Sequence, residues 1–171
     1  MTDARWPAAE PLETARLRLV PLRAHDAREM SMVLDDISLH EFTGGRPDTV
    51  DELRARYGAG APGWLNWAVR LRATGEAVGT VQATLAHEDG RPSATLAWVV
   101  ASGHQGNGYA CEAAAAMAVW LRRRGVEILI AHVHPDHQAS IGVARHLGMD
   151  PGAAGSDGEI RWHLSRRTTS A

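Results

Sequence analysis

The alternation of apolar and polar positions predicts one strand near the start of the chain and three consecutive strands in its middle. Residues 16–22 (RLRLVPL) alternate arginine with leucine and valine, as expected for a strand with one buried face that ends at Pro21. Three further segments with strand character are joined by short turns, and they are residues 66–73, 78–86 and 94–101. Turns this short cannot contain a crossover connection, so these three strands should form an antiparallel meander.

Four segments have apolar residues at helical spacing, and they are residues 25–36, 48–58, 108–125 and 137–148. The second helix should begin with Asp48 or Thr49 as its N-cap and end at Gly58. The third is rich in alanine, a strong helix former, and carries three arginines at its C-terminal end, where the helix dipole favours positive charge. Composition and charge thus both favour a helix there.

Two more strands complete the pattern. Residues 126–133 (VEILIAHV) are almost continuously apolar, as in a strand that is buried on both faces. Residues 159–165 (EIRWHLS) form a last strand after the turn SDG, and residues 150–154 could add a further short strand. The predicted order, βααβββαβαβ, corresponds to a mixed α/β (α+β) fold.

Length, charge and cysteine content bound the class of protein. The 171 residues predict a single domain over residues 1–171, long enough to bury roughly 70% of its unfolded surface without disulfides or metal. The net charge of −2 leaves no excess of positive charge for nucleic acid, and the single Cys111 excludes an internal disulfide. Neither a long apolar run nor a signal-peptide core is present, so we expect a cytoplasmic protein that does not enter a membrane.

One segment has the residue types of a metal site. In residues 131–140 (AHVHPDHQAS), His132 and His134 would share one face of a strand, and Asp136 and His137 could join them from the following turn. The segment resembles the first ligand cluster of the metallo-β-lactamase family, which gives a small metallohydrolase as one alternative. That family takes further ligands from distant downstream segments, whereas this chain ends soon after His137. The other interpretation is that these histidines fill a strand end and a helix start without a metal.

A glycine-rich turn lies between the third strand of the meander and the alanine-rich helix. Residues 105–110 (QGNGYA) open that helix, where several backbone N–H groups are unpaired and the helix dipole favours negative charge. Gly106 and Gly108 let the backbone approach phosphate oxygens closely, and the small Ala110 permits close packing of the helix. The turn therefore predicts a diphosphate site, although it matches neither the dinucleotide fingerprint G-x-G-x-x-G nor a nucleotide-hydrolysing P-loop.

Two other segments accompany this turn. QGNGYA fits the pattern Q/R-x-x-G-x-G/A, and HPDHQASIGVARHLGM fits an N-x-x-S segment ending in L-G-M, with His137 at the position of the Asn. With the opening LETARLRLVPL, these segments resemble the GNAT superfamily of N-acetyltransferases, in which the glycine-rich loop binds acetyl-CoA. The resemblance covers a core of about residues 12–165 and is closest to the ribosomal-protein N-terminal acetyltransferases (RimJ/RimL-like) and their small-molecule relatives.

This resemblance implies a GNAT fold, with a central mixed, mostly antiparallel sheet of six to seven strands, helices on both faces and a splay between strands four and five. The splay would free backbone groups of Val99, Val100 and Ala101 for the pantetheine arm of the coenzyme. His137 and Ser140 would complete that site. The pyrophosphate would be held by the turn, through Gln105, Gly106, Asn107, Gly108, Tyr109 and Ala110.

The implied activity is transfer of an acetyl group from acetyl-CoA to a primary amine of a small molecule or protein N-terminus, by direct attack in a ternary complex. The amine must lose a proton before it attacks, and the departing thiolate benefits from receiving one. Many relatives donate that proton from a Tyr at the position of Ala144, so Ser140 is the candidate donor here, with helix capping as its other interpretation. Glu41, in the loop where the family builds its acceptor pocket, is the candidate base, with a water relay as the alternative.

Tryptophans are candidates for the wall of the acceptor site. One or two of Trp67, Trp98 and Trp162 could line the cleft with an apolar wall, although most tryptophans are buried packing elements. We expect acetyl-CoA and an amine as ligands, no metal, and a monomer or homodimer. The non-enzyme alternative is a CoA-binding or sensory domain that has lost turnover, since the Tyr is missing at Ala144.

Overall fold

The computed structural model describes residues 6–166, in which all eight strands belong to one sheet in the order β1-β2-β3-β4-β5-β6-β8-β7. The strands are β1 (Leu12–Glu13), β2 (Leu17–Pro21), β3 (Trp64–Leu71), β4 (Ala77–Glu88), β5 (Arg91–Val100), β6 (Ile128–Val133), β7 (Asp150–Ala154) and β8 (Ile160–Ser165). The helices are α1 (Ala27–Val33), α2 (Val50–Gly58), α3 (Tyr109–Arg123) and α4 (Gln138–His146). The predicted domain limits at residues 1 and 171 lie outside the described residues.

The sheet confirms the predicted fold class. Within residues 6–166 the pairing of β5 with β6 is parallel and every other pair is antiparallel. The predicted meander is β3, β4 and β5, and residues 150–154 form β7. The described sheet has eight strands, one more than the upper limit of the predicted six to seven. The additional strand consists of Leu12 and Glu13 beside β2 and is too short to show a periodicity.

The helices form at the predicted places with shorter bounds. For α2, Thr49 rather than Asp48 is the N-cap: Thr49 Oγ1 accepts from the N–H of Glu52, and the Glu52 carboxylate accepts from the N–H of Thr49. Asp48 instead forms an ion pair with Arg56. α1 ends at Val33 rather than continuing to residue 36, because Asp36 caps the separate 3-10 turn Ile37–His40.

Helices cover both faces of the sheet. On one face, Met117 and Leu121 of α3 pack in the same buried cluster as Trp67 of β3. On the other, Met30 of α1 and residues of α2 pack against Ala68, the neighbour of Trp67 in β3. Successive strand side chains point to opposite faces, so these two clusters lie on opposite sides of the sheet.

The predicted splay lies between β5 and β6. These strands are in register only at Ser93–Ile128, Ala94–Leu129 and Thr95–Ile130. β5 nevertheless stays paired with β4 as far as Val100. The sheet therefore opens after Thr95, between two strands in its interior.

No helix of the described part of the chain is long and apolar enough to cross a membrane.

We expect Gly79→Ala to destabilise the protein at the splayed end of β5. A Cβ at Gly79 of β4 would lie 2.1 Å from the carbonyl oxygen of Val99, so the two strands would have to separate. The expected loss is on the order of 2 kcal/mol of the free energy of unfolding, measured by urea denaturation. The matched control is Gly142→Ala in α4, where a Cβ meets nothing within 4 Å and a helical alanine should add about 0.5–1 kcal/mol. Equal effects of the two substitutions would contradict the close approach of β4 and β5.

Candidate functional site

A cavity of about 720 Å³ lies where β5 and β6 part. Its walls come from the loop after α1, the ends of β5 and β6, the glycine-rich turn with the start of α3, and the start of α4. Most of the predicted site residues meet there. Those that line it are Glu41, Trp98, Val99, Val100, Gln105, Gly106, Gly108, Tyr109, Ala110, His137 and Ser140.

The glycine-rich turn presents its backbone to the cavity. Gly106 has φ of +79° and Gly108 has φ of +78°, in the left-handed region that glycine adopts without steric cost. A Cβ at Gly106 would meet nothing within 4 Å, so the space over this residue is open. Gly108 is the N-cap of α3, and the amides of the first helical turn have no acceptor within the helix.

Side chains of the turn brace it from behind. Gln105 Nε2 donates to the carbonyl oxygen of Val100 at 2.9 Å, and Asn107 Nδ2 donates to the carbonyl oxygen of His104 at 3.0 Å. Asn107 is not part of the cavity wall. Both side chains are thus engaged within the protein, and Gln105 and Asn107 can contact a ligand in the cavity mainly through their backbone groups.

The backbone of β5 alternates between β4 and the gap. The N–H of Ala101 donates to the carbonyl oxygen of Val78 in β4 at 2.8 Å. Backbone groups of successive residues alternate between the two sides of an antiparallel strand, so those of Val99 also face β4, and those of Trp98 and Val100 face the gap. This corrects the sequence prediction for two residues: the backbone groups of Val99 face β4, and Ala101 has given its N–H to β4 and does not line the cavity. Val100 N–H and both backbone groups of Trp98 are the ones directed into the gap.

Ser140 lies at the opposite wall and is held from two sides. Trp98 Nε1 donates to Ser140 Oγ at 3.2 Å, across the gap from β5. His137 is the N-cap of α4, with Nδ1 accepting the N–H of Ser140 at 3.1 Å, and its Nε2 is 3.3 Å from Ser140 Oγ. His137 therefore does for the helix what an Asn side chain would do at this position.

Phe42 completes the wall and was not found from the sequence. Its ring centroid is 4.5 Å from that of His137 and 5.1 Å from that of His134. These contacts place the loop that carries Glu41 over the C-terminal end of β6 and the start of α4. The sequence offered two signals for Phe42: it is the single phenylalanine of the chain, and it follows Glu41.

The lining of the cavity includes two carboxylates. Glu41 and Glu159 line it, and no arginine or lysine among the described residues does so. Within residues 6–166, neither carboxylate has a cationic partner within 4.0 Å. No motif marked Glu159, which directly precedes Ile160, the residue of β8 opposite Val133 at the end of β6.

A hydrogen bond joins the loop that carries Glu41 and Phe42 to the 3-10 turn Ser102–His104, just before the glycine-rich turn. The Asp36 carboxylate accepts from the hydroxyl of Ser102, and from the N–H and hydroxyl of Ser38 at 2.9 and 2.7 Å. These donors, Ser102 foremost, hold the pKa of Asp36 below its usual value. The loop that carries Glu41 and Phe42 is thus fixed relative to the turn by an ionised carboxylate.

Two of the three candidate tryptophans lie away from the cavity. Trp67 is 0% exposed, packs edge-on against Trp120 and donates from Nε1 to the carbonyl oxygen of Glu10. Trp162 is 4% exposed, and its Nε1 has no hydrogen-bond partner among the described residues. The prediction that these two line the acceptor site is corrected to core packing, and Trp98 alone of the three borders the cavity.

The histidine-rich segment is engaged in other contacts. His134 Nδ1 accepts the N–H of Asp136 at 3.1 Å, and His137 caps α4. His132 is exposed at the end of β6. In the part of the chain with described coordinates, no group of three or more His, Cys, Asp or Glu side chains is arranged to hold a metal ion.

Comparison with solved structures extends the likeness over nearly the whole chain. An acetyltransferase of the GNAT family from Bacillus anthracis has a TM-score of 0.78 at 18% identity, covering 91% of this chain and 98% of that one. A putative ribosomal-protein-serine acetyltransferase from Vibrio cholerae has a TM-score of 0.75 at 19% identity, with coverages of 92% and 98%. Aminoglycoside acetyltransferase AAC(6')-Ib in complex with coenzyme A has a TM-score of 0.74 at 16% identity, with coverages of 88% and 95%. At these identities the likeness shows the fold.

Sequence comparison supplies the family. No curated protein sequence matches this chain significantly. The family model described as "Acetyltransferase (GNAT) domain" matches residues 16–150, which contain the glycine-rich turn, the splayed strands and the Ser140 segment. The chain belongs to the GNAT acetyltransferase family.

Proposed function

We propose that this acetyltransferase transfers the acetyl group of acetyl-CoA directly to a primary amine, of a small molecule or a protein N-terminus, in a ternary complex. One observation carries the proposal: a single cavity is lined both by the bare amides of the glycine-rich turn and by two carboxylates, Glu41 and Glu159, that have no cationic partner among the described residues. The first suits an anionic coenzyme, and the second suits a cationic amine. Membership of the ribosomal-protein branch stays a prediction.

The coenzyme would lie along the gap between β5 and β6. Its diphosphate would accept hydrogen bonds from the amides around Gly106 and Gly108, at the N-terminus of α3. Its pantetheine amides would pair with the gap-facing backbone groups of Trp98 and Val100, in place of the missing strand partner. The thioester would then approach Ser140 at the far wall.

The protonated state of the Cys111 thiol supports direct transfer rather than an acetyl-enzyme intermediate. Cys111 borders the cavity and is the only cysteine of the chain. Burial raises the pKa of its thiol, so it stays protonated at neutral pH. The thiolate is the nucleophilic form, and this side chain is therefore a poor acyl carrier.

Proton transfer is assigned to Glu41 and Ser140. Glu41 would take the proton of the incoming ammonium, directly or through water, which exposes the nitrogen lone pair. Ser140 would donate to the thiolate as it departs. Glu159, which also lines the cavity, would hold the ammonium or a second positive charge of the acceptor.

The proposal is tested by thiol release from acetyl-CoA with a panel of primary amines and N-terminal peptides, together with calorimetry of CoA binding. We expect binding and amine-dependent release. Gly106→Ala should weaken CoA at least about tenfold, because alanine is strained at φ of +79° and its Cβ enters the open space over the turn. The control is Gly103→Ala, which has neither a positive φ nor a Cβ neighbour within 4 Å. Binding without transfer to any amine would instead mean a CoA-binding domain without turnover, and absence of binding would reject the coenzyme site.

The two carboxylates should act on the amine and not on the coenzyme. We expect Glu159→Gln to raise the KM for a cationic acceptor about three- to tenfold, and Glu41→Gln also to lower kcat by about ten- to a hundredfold, since it removes the base. The KM for acetyl-CoA should change little in both. Asp89→Asn, in the exposed turn between β4 and β5, removes the same charge outside the cavity and serves as the control. A KM for the amine that is equally insensitive to all three changes would reject the role of the two carboxylates in acceptor binding.

A further inference from the structure

Ser140 Oγ is the meeting point of two side-chain nitrogens. Trp98 Nε1 is 3.2 Å from it and His137 Nε2 is 3.3 Å from it. An indole nitrogen can only donate, so Ser140 Oγ accepts from Trp98. The role of His137 depends on which ring nitrogen carries its proton.

The helix cap fixes that tautomer. His137 Nδ1 accepts the N–H of Ser140 at 3.1 Å, so Nδ1 is without a proton. A neutral imidazole has one N–H, which must then be on Nε2. His137 Nε2 is therefore a donor toward Ser140 Oγ, and a single ring supplies both an acceptor to the backbone and a donor to the hydroxyl.

A serine hydroxyl has one proton and two acceptor positions. With Trp98 and His137 donating to the oxygen, the proton of Ser140 points away from both rings, and Ser140 lies on the wall of the cavity. We propose that Trp98 and His137 are positioning residues that direct the Ser140 proton toward the sulfur of the coenzyme. This proposal rests on the acetyl transfer proposed above. It gives Trp98 and His137 a part in proton transfer beside Glu41 and Ser140.

The step balances without a further reactant. The nitrogen lone pair of the neutral amine forms the C–N bond at the thioester carbonyl carbon. The C–S bond then breaks with its electron pair on sulfur, where the Ser140 O–H donates a hydrogen bond to the growing negative charge. Sulfur then takes the Ser140 proton to give the thiol, and Ser140 regains through solvent the proton that the nitrogen loses, so protons and charge balance. Two N–H donors on Ser140 Oγ polarise its O–H bond and strengthen that hydrogen bond.

Variants can separate donation from packing. Trp98→Phe keeps the ring and removes its N–H, and we expect it to lower kcat about tenfold with less than about a threefold change in the KM for acetyl-CoA. Ser140→Ala should lower kcat further, by about a hundredfold. The double variant should be no slower than Ser140→Ala, because Trp98 acts only through Ser140. Trp162→Phe is the matched control: it removes an indole N–H that has no partner in the described residues, so kcat should stay unchanged.

Position 137 offers a second comparison. Asn and Asp both cap a helix, but only Asn also has N–H donors, and Asp would instead attract the Ser140 proton to itself. His137→Asp should therefore have a kcat at least about tenfold below that of His137→Asn, while both variants unfold at similar temperatures. A purely structural role for His137 predicts equal kcat in the two variants.

Three results would overturn the proposal. They are a wild-type kcat in Trp98→Phe, equal kcat in the Asn and Asp variants of His137, and losses that multiply in the double variant with Ser140→Ala. Each is measured on an enzyme that still acetylates an amine, so it is distinguishable from failure of the proposed function, in which the wild type itself shows no transfer.

Discussion

β5 and β6 part in the interior of the sheet, and the rest of the site depends on that separation. Their register ends at Thr95 and Ile130, whereas β4 holds β5 as far as Val100. A central strand normally satisfies its backbone groups with both neighbours, so the groups of β5 beyond Thr95 that face away from β4 require another partner. Because rigid strands flank the gap on both sides, these groups are fixed in place before any ligand arrives, which lowers the entropic cost of binding.

What could be predicted from the sequence was mostly local. A glycine with positive φ before a helix, or a polar side chain that caps one, depends only on residues a few positions apart, so the turn at residues 105–110 and the cap at His137 have recognisable signals. Nothing in VEILIAHV indicates where its pairing with β5 ends, and the splay was expected only from the family resemblance. Phe42 and Glu159 could not be predicted, because Phe42 reaches the wall through ring contacts with His134 and His137, and Glu159 through the pairing of β8 with β6, between elements distant in sequence.

The tryptophans show why periodicity cannot separate a core residue from a site residue. Trp67 is opposite Val81 in the register of β3 with β4, and Val81 is opposite Trp98 in the register of β4 with β5. The three side chains therefore form one row on one face of the sheet. Trp67 lies under α3 and is fully buried, whereas Trp98 borders the gap and reaches Ser140. The difference between them is distance from the splay, which the alternation of apolar residues does not encode.

The separation of β5 and β6 also explains how Ser140 could serve as proton donor in place of the longer Tyr that the family resemblance implies at position 144. Ala144 is 0% exposed and belongs to the core, so this chain has no donor at that position. Ser140 lies one turn earlier on α4, and its hydroxyl is short and rotates freely unless partners hold it. Those partners come from both sides of the gap, Trp98 from β5 and His137 from the start of α4. In the proposed mechanism the orientation of the acid and the exposure of the coenzyme-binding backbone thus share one cause, and a change in the spacing of β5 and β6 would disturb both together.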